Sequence, residues 1–192
     1  MTLFARGRRD HVVQFYESHD DLAGRVAAYL LDAMRHGGAG LVVATPQHRA
    51  AIEDRLAQSG VDLAGARQDG SYLALDAAEL MAQFMINGFA DAASFWRAVS
   101  PVVKGALRGR STLHVFGEMV ALLWAEGQAA AAVDLEALWN ELAGQYAFSL
   151  YCAYPAAVLA EDAQVTEVTE VIGAHSDLIR AGRPGEDVMS RA

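Results

Sequence analysis

Short apolar runs alternate along this chain with longer segments in which apolar residues recur every three or four positions. His11–Tyr16 (HVVQFY) is β-favouring; a polar turn over 17–21 follows, and then Leu22, Val26, Tyr29 and Leu30 at helical spacing. Gly37 and Gly38 stop that helix, 41–45 (LVVAT) forms a second apolar run, and Pro46 opens a helix carrying Ile52 and Leu56. A third strand is expected at 72–75, with Asp76 placed to cap a helix running through Phe84. Asp91 caps the next, which holds Phe95, Val99 and Val102, with Pro101 as a kink point. The fourth and fifth strands are 111–117 (STLHVFG) and 148–154 (FSLYCAY), separated by helical segments at 119–125 and 129–142. Leu135, Leu138, Trp139 and Leu142 share one stripe of the second.

Strands that are apolar throughout, alternating with helices, predict an α/β three-layer sandwich with a mainly parallel central sheet covered on both faces. One domain is expected over 1–160. An amphipathic helix follows over 161–181, its periodic part at about 162–179 with Val165, Val168, Ile172 and Ile179 in line, and it docks on the domain or on a partner. Residues 182–192 (GRPGEDVMSRA) read as a polar, mobile tail.

Composition narrows the function. The chain has 192 residues, 53% of them hydrophobic, and a net charge of −9, which argues against a general nucleic-acid binder. The Arg6, Arg8, Arg9 cluster reads as a solvated terminal tail. A single cysteine, Cys152, excludes an intramolecular disulfide and suits a reducing, cytoplasmic setting. No run of apolar residues is long enough to span a bilayer, so no membrane partner is expected.

Ligands of open α/β sheets bind outside the carboxyl ends of the strands. That rule selects Tyr16, Glu17, Ser18 and His19 after the first strand, Thr45 and His48 after the second, Asp76 after the third and Glu118 after the fourth. Helix capping and solvated loops are the competing reading for Asp76, Glu17 and His19; Asp20 reads as an N-cap. Glu118, between an apolar strand and MVALLW, is expected to be partly buried and then to need a partner or a raised pKa. A phosphate-binding loop is missing: the loop after the first strand carries Glu17, Asp20 and Asp21, which would repel a triphosphate. The six histidines show no HxxxH, HExxH or paired-cysteine spacing, so no metal or other cofactor is expected, and His114 reads as a hydrogen-bonded core histidine. No GxSxG elbow is present, and Cys152, mid-strand in apolar surroundings, reads as inert. Trp124 and Trp139 read as core.

Taken in order, HVVQFYESHDDL, LVVATPQHR, FGEMVALLW, LEALWNEL and FSLYCAYP resemble the DcmR-type sensory domain called MEDS, over His11 to Pro155 and reaching toward His175. The resemblance implies a RecA/KaiC-like fold without a phosphate loop and a non-enzymatic role in sensing small hydrocarbon derivatives. It singles out His11, Tyr16, Glu118, Trp139, Asn140 and Cys152 as ligand-binding positions, with His11, Tyr16 and Glu118 as anchors and Trp139 and Asn140 open to a structural role. It also implies signalling through a regulatory protein partner in trans or through a homodimer. Two other readings stay open: a degenerate nucleotide-binding, ATPase-like protein, and an interaction module in a kinase or sigma-factor cascade.

Overall fold

The computed structural model of the chain describes residues 10–157, 165–179 and 188–190. In chain order its elements are β1 (His11–Tyr16), α1 (His19–Arg35), β2 (Ala39–Ala44), α2 (Pro46–Gln58), α3 (Leu63–Asp69), β3 (Tyr72–Asp76), α4 (Ala77–Met81), β4 (Met85–Ile86) and β5 (Phe89–Ala90). There follow α5 (Ala92–Ala106), β6 (Leu113–Gly117), α6 (Met119–Ala125), α7 (Ala129–Gln145), β7 (Phe148–Pro155), α8 (Val165–Ala174), β8 (Asp177–Ile179) and β9 (Val188–Ser190).

The main sheet runs β3-β2-β6-β7-β1-β8-β9, every pairing parallel except β8 with β9. Its inner strands are buried on both sides, which is why they read as unbroken apolar runs. Even-numbered residues of β1 (Val12, Tyr16) join Val42, Phe116 and Tyr151 under α1, α2 and α3. Odd-numbered ones (Val13, Phe15) join Leu41, Val115, Leu150 and Cys152 under α4 to α8. The α/β sandwich expected from the pattern is therefore the observed architecture.

Chain direction across the sheet has one reversal. From β1 the chain moves through α1 to β2 and on to β3 along one face; from β3 it returns on the other face to β6 and β7. β2 and β6 are neighbours whose exits lead opposite ways, and such a switch point opens a crevice at the strands' carboxyl ends.

Local chemistry sets the helix starts. The Ser18, Thr45, Asp76 and Asp91 side chains each accept a backbone N–H of the first turn that follows. Ser18, not Asp20, is thus the cap of α1; Asp20 lies in the first turn and pairs with Arg55. The helix expected from Asp76 to Phe84 ends at Met81. Residues 85–90 instead form the hairpin β4–β5, whose Asn87-Gly88 turn has φ of 52° and 82° at its two central residues, the combination an Asn-Gly pair adopts readily. The short helix α3 was not anticipated.

The C-terminal expectation needs correction. Among the described residues of the helix expected over 161–181, Val165–Ala174 is helical and Asp177–Ile179 is a strand. An edge strand at β1 would leave a row of backbone groups unpaired, and β8 satisfies them. His11 O accepts the Ser176 N–H at 2.7 Å, and the His11 N–H donates to Ser176 Oγ at 3.0 Å. Val188–Ser190, within the stretch read as a mobile tail, pairs with β8. The rest of 158–164 and 180–192 lies outside the described residues.

Gly38 follows the left-handed Gly37 (φ 76°), and its N–H closes the end of α1 on Ala33 O at 2.9 Å. A Cβ here would stand 2.6 Å from Thr112 Cγ2 and 2.8 Å from Thr112 O, whereas at Gly24, inside α1, it would meet nothing within 4 Å. Gly38→Ala is therefore expected to cost about 1–3 kcal/mol and Gly24→Ala to be neutral or stabilising by up to ~1 kcal/mol. Thermal melts of the two variants check this.

Candidate functional site

At the switch point the carboxyl ends of β1, β2 and β6 hold one hydrogen-bonded group. Glu118, immediately after β6, is buried. Its Oε2 accepts the Thr45 backbone N–H at 2.8 Å and the Thr45 hydroxyl at 3.1 Å, and its Oε1 accepts His48 Nδ1–H at 2.5 Å. Because the carboxylate takes the Nδ1 proton, a neutral His48 presents Nε2 as an acceptor. His19 Nδ1–H donates to it at 2.6 Å. The chain Glu118–His48–His19 thus runs from the buried floor to an exposed imidazole. Tyr16 walls it, with its ring 5.5 Å from that of His19 and edge-on to His48.

Burial raises the Glu118 carboxyl, but the His48 and Thr45 hydrogen bonds outweigh it and hold the group below the ordinary carboxylate range. Burial, with the nearby Glu118 charge, pushes the Tyr16 hydroxyl up to about 12, so it keeps its proton at neutral pH. The site therefore offers a protonated phenol, an imidazole chain polarised by a carboxylate, and an aromatic wall.

A second buried group lies on the other face of the sheet, at the opposite end of β1. His11 Nε2 stands 3.2 Å from Glu136 Oε2 and 3.3 Å from Cys152 Sγ, and its Nδ1 is 2.8 Å from Asn140 Oδ1. His175 Nε2 stands 3.5 Å from Glu136 Oε1, which also accepts the Tyr154 hydroxyl at 2.8 Å. Burial opposes ionisation of Glu136, yet His175, His11 and Tyr154 bring its carboxyl down to about 2. Burial drives the His175 imidazole down to about 4 despite the pull of Glu136. It also pushes the Cys152 thiol well up, with Glu136 adding to the effect.

The six expected ligand positions are thereby divided. Tyr16 and Glu118 meet at the switch point with Thr45, His48 and His19. His11, Asn140 and Cys152 meet roughly 16 Å along β1, at ~3.3 Å per residue, and on the opposite face, so His11 is not an anchor of the same site as Tyr16. Trp139 belongs to neither; it is core, edge-on to Phe95 and Phe148. Asp76 caps α4 and pairs with Arg49, and Glu17 is exposed. His114 is the core histidine expected, its Nδ1–H donating to Tyr29 O at 2.7 Å. Cys152 packs in the apolar core as expected, but its Sγ also faces His11 and Glu136. Glu136 and His175 were missed as site residues. Glu136 was findable, since it falls on the same face of α7 as Leu135, Trp139 and Asn140, where a carboxylate demands a partner.

The fold is that of KaiC-like proteins. The KaiC-like protein PH0186 from Pyrococcus horikoshii OT3 is 12% identical with a TM-score of 0.58, and the match covers 93% of this chain and 76% of that one. The uncharacterized protein PH0321 from Pyrococcus horikoshii, solved in complex with an unknown peptide, is 12% identical with a TM-score of 0.64, covering 94% and 81%. No curated protein matches the chain. The family model of MEDS, the methanogen/methylotroph DcmR sensory domain, matches residues 10–176, and the chain belongs to that family. The match includes His175 and so extends past the boundary expected at 160. Among the described residues no helix is long and apolar enough to cross a membrane.

Because the folded-state pKa of Glu118 is depressed, its stabilising effect is full above the ordinary carboxylate value of about 4.3 and is lost as pH falls through the lower folded value. Glu118→Gln is expected to lower stability at pH 7 by about 1–3 kcal/mol and to flatten the acid limb of the stability curve in that window. Urea unfolding between pH 3 and 7 reads both effects.

Proposed function

We propose that this sensory domain binds a small organic ligand, a hydroxyl-bearing hydrocarbon derivative, at the switch-point crevice, without turning it over, and passes occupancy to a regulatory protein in trans. The observation that carries the reading is the Glu118–His48–His19 chain beside Tyr16. With His19 Nδ1–H engaged by His48, His19 Nε2 is left as an acceptor for a ligand hydroxyl, and the Tyr16 ring is a surface for its hydrocarbon part. The acidic loop that stands where a phosphate cradle would be speaks against the nucleotide-binding alternative: Asp21 pairs with Arg25 and Asp20 with Arg55, so its nearest cations are already engaged. Contact with a protein partner is supported by the β4–β5 hairpin, where Ile86 and Phe89 are 53% and 62% exposed.

A panel of short-chain alcohols and halogenated hydrocarbons, with Mg-ATP as the alternative ligand, tests the reading by thermal shift. At a hundred times its dissociation constant a native-selective ligand stabilises by about 2.7 kcal/mol, or roughly 5–10 °C for a chain of this size. The expected result is such a shift with one class of hydrocarbon derivative, reduced in His19→Ala. A shift with Mg-ATP alone, or a hydrocarbon response unchanged in His19→Ala, would sink the assignment.

A further inference from the structure

The geometry points to a closed transition-metal site, with Zn²⁺ the best fit, formed by His11 Nε2, Glu136, Cys152 Sγ and His175 Nε2. These residues come from β1, α7, β7 and the end of α8, all four are buried, and their ligand atoms lie within 4.8 Å of one another. The His11–Glu136, His11–Cys152, His175–Glu136 and Cys152–Glu136 separations fall between 3.2 and 3.6 Å. Metal bonds of about 2.0–2.3 Å in a tetrahedron put adjacent ligand atoms roughly 3.3–3.8 Å apart, so only small adjustments are required.

The hydrogen bonds around the group fix which nitrogens face inward. His175 Nδ1 is 2.6 Å from Val171 O, an acceptor only, so that nitrogen carries the proton. Asn140 donates its Nδ2–H to Ala174 O at 3.1 Å, which turns its Oδ1 toward His11 Nδ1 and makes that nitrogen the donor as well. Nε2 of both imidazoles thus faces the Glu136 carboxylate, and His175 Nε2 is fully buried with no hydrogen-bond partner. A divalent cation among these inward-facing donor atoms would give His175 Nε2 the partner it lacks. Backbone carbonyl and amide partners on the outer nitrogens are also what orients metal-binding histidines elsewhere, and the Tyr154 hydroxyl on Glu136 completes that shell. A mixed N, O and S donor set suits Zn²⁺ or Co²⁺ better than Mg²⁺ or Ca²⁺.

On binding, the metal–sulfur bond replaces the Cys152 S–H bond and the proton leaves to solvent; the other three donors need lose none. Four protein ligands leave no open position, so the ion joins structure to structure. It ties the end of α8, and through it β8, to β1, β7 and α7. This site is independent of the switch-point ligand: the two lie on opposite faces of the sheet, and each can fail without the other.

Two measurements on the full chain test it: metal content after purification without added metal, and optical titration with Co²⁺ before and after dialysis against a chelator. The expected outcome is about one equivalent of bound transition metal and, with Co²⁺, a thiolate-to-metal charge-transfer band with the strong visible absorption of tetrahedral geometry. Cys152→Ser should lose the band, and His175→Gln should weaken binding about tenfold or more. Glu118→Gln, in the other cluster, should titrate as the parent does. The parent protein alone decides the matter if the variants fold poorly. A metal-free preparation that gives no charge-transfer band with excess Co²⁺ overturns the site, as does a band that persists in Cys152→Ser.

Discussion

The placement of β1 inside the sheet is the constraint on which both polar groups depend. It is held by β7 along its whole length and by β8 on its other edge. Since side chains alternate along a strand, β1 delivers His11 to one face at its start and Tyr16 to the other at its end. A one-residue slip against β7 would exchange the faces and bury Gln14 among the odd-numbered apolar residues. As it stands, Gln14 lies fully buried under α1, where it accepts the Tyr151 hydroxyl.

The two clusters differ in character because of where they sit. At the switch point the group rests on loop and first-turn residues, and its outermost member, His19, is exposed. Such a chain can change partners at its open end without disturbing the core. The His11–Glu136–Cys152–His175 group has no open end. It spans the sheet, one covering helix and the segment after α8, so whatever satisfies it also sets how firmly the C-terminal elements hold to the domain. The two groups nevertheless share a strand, β1.

Likeness to KaiC-like proteins at 12% identity shows the fold and stops there. The exit of β1 has its own local chemistry. The loop there is acidic, and its helix is capped by Ser18 with Asp20 and Asp21 in the first turn. Carboxylates occupy the position where helix amides and a cation would otherwise meet phosphate.

The sequence pattern by itself determined the βα alternation, the five apolar runs of the inner sheet and the caps Asp76 and Asp91, because these depend on contacts within a few residues or on burial of a whole run. It also marked Glu118, since a carboxylate wedged between apolar blocks must find a partner. Tertiary structure decided the rest. The switch-point histidine chain joins residues 19, 48 and 118, and the second cluster joins 11, 136, 152 and 175; no linear spacing encodes either, because their members come from separate elements brought together by strand order. The strand at 177–179 was hidden for a similar reason. Its residues continue the helical period of α8, and only the unpaired edge of β1, a partner more than 160 positions away, makes the extended form the more stable one.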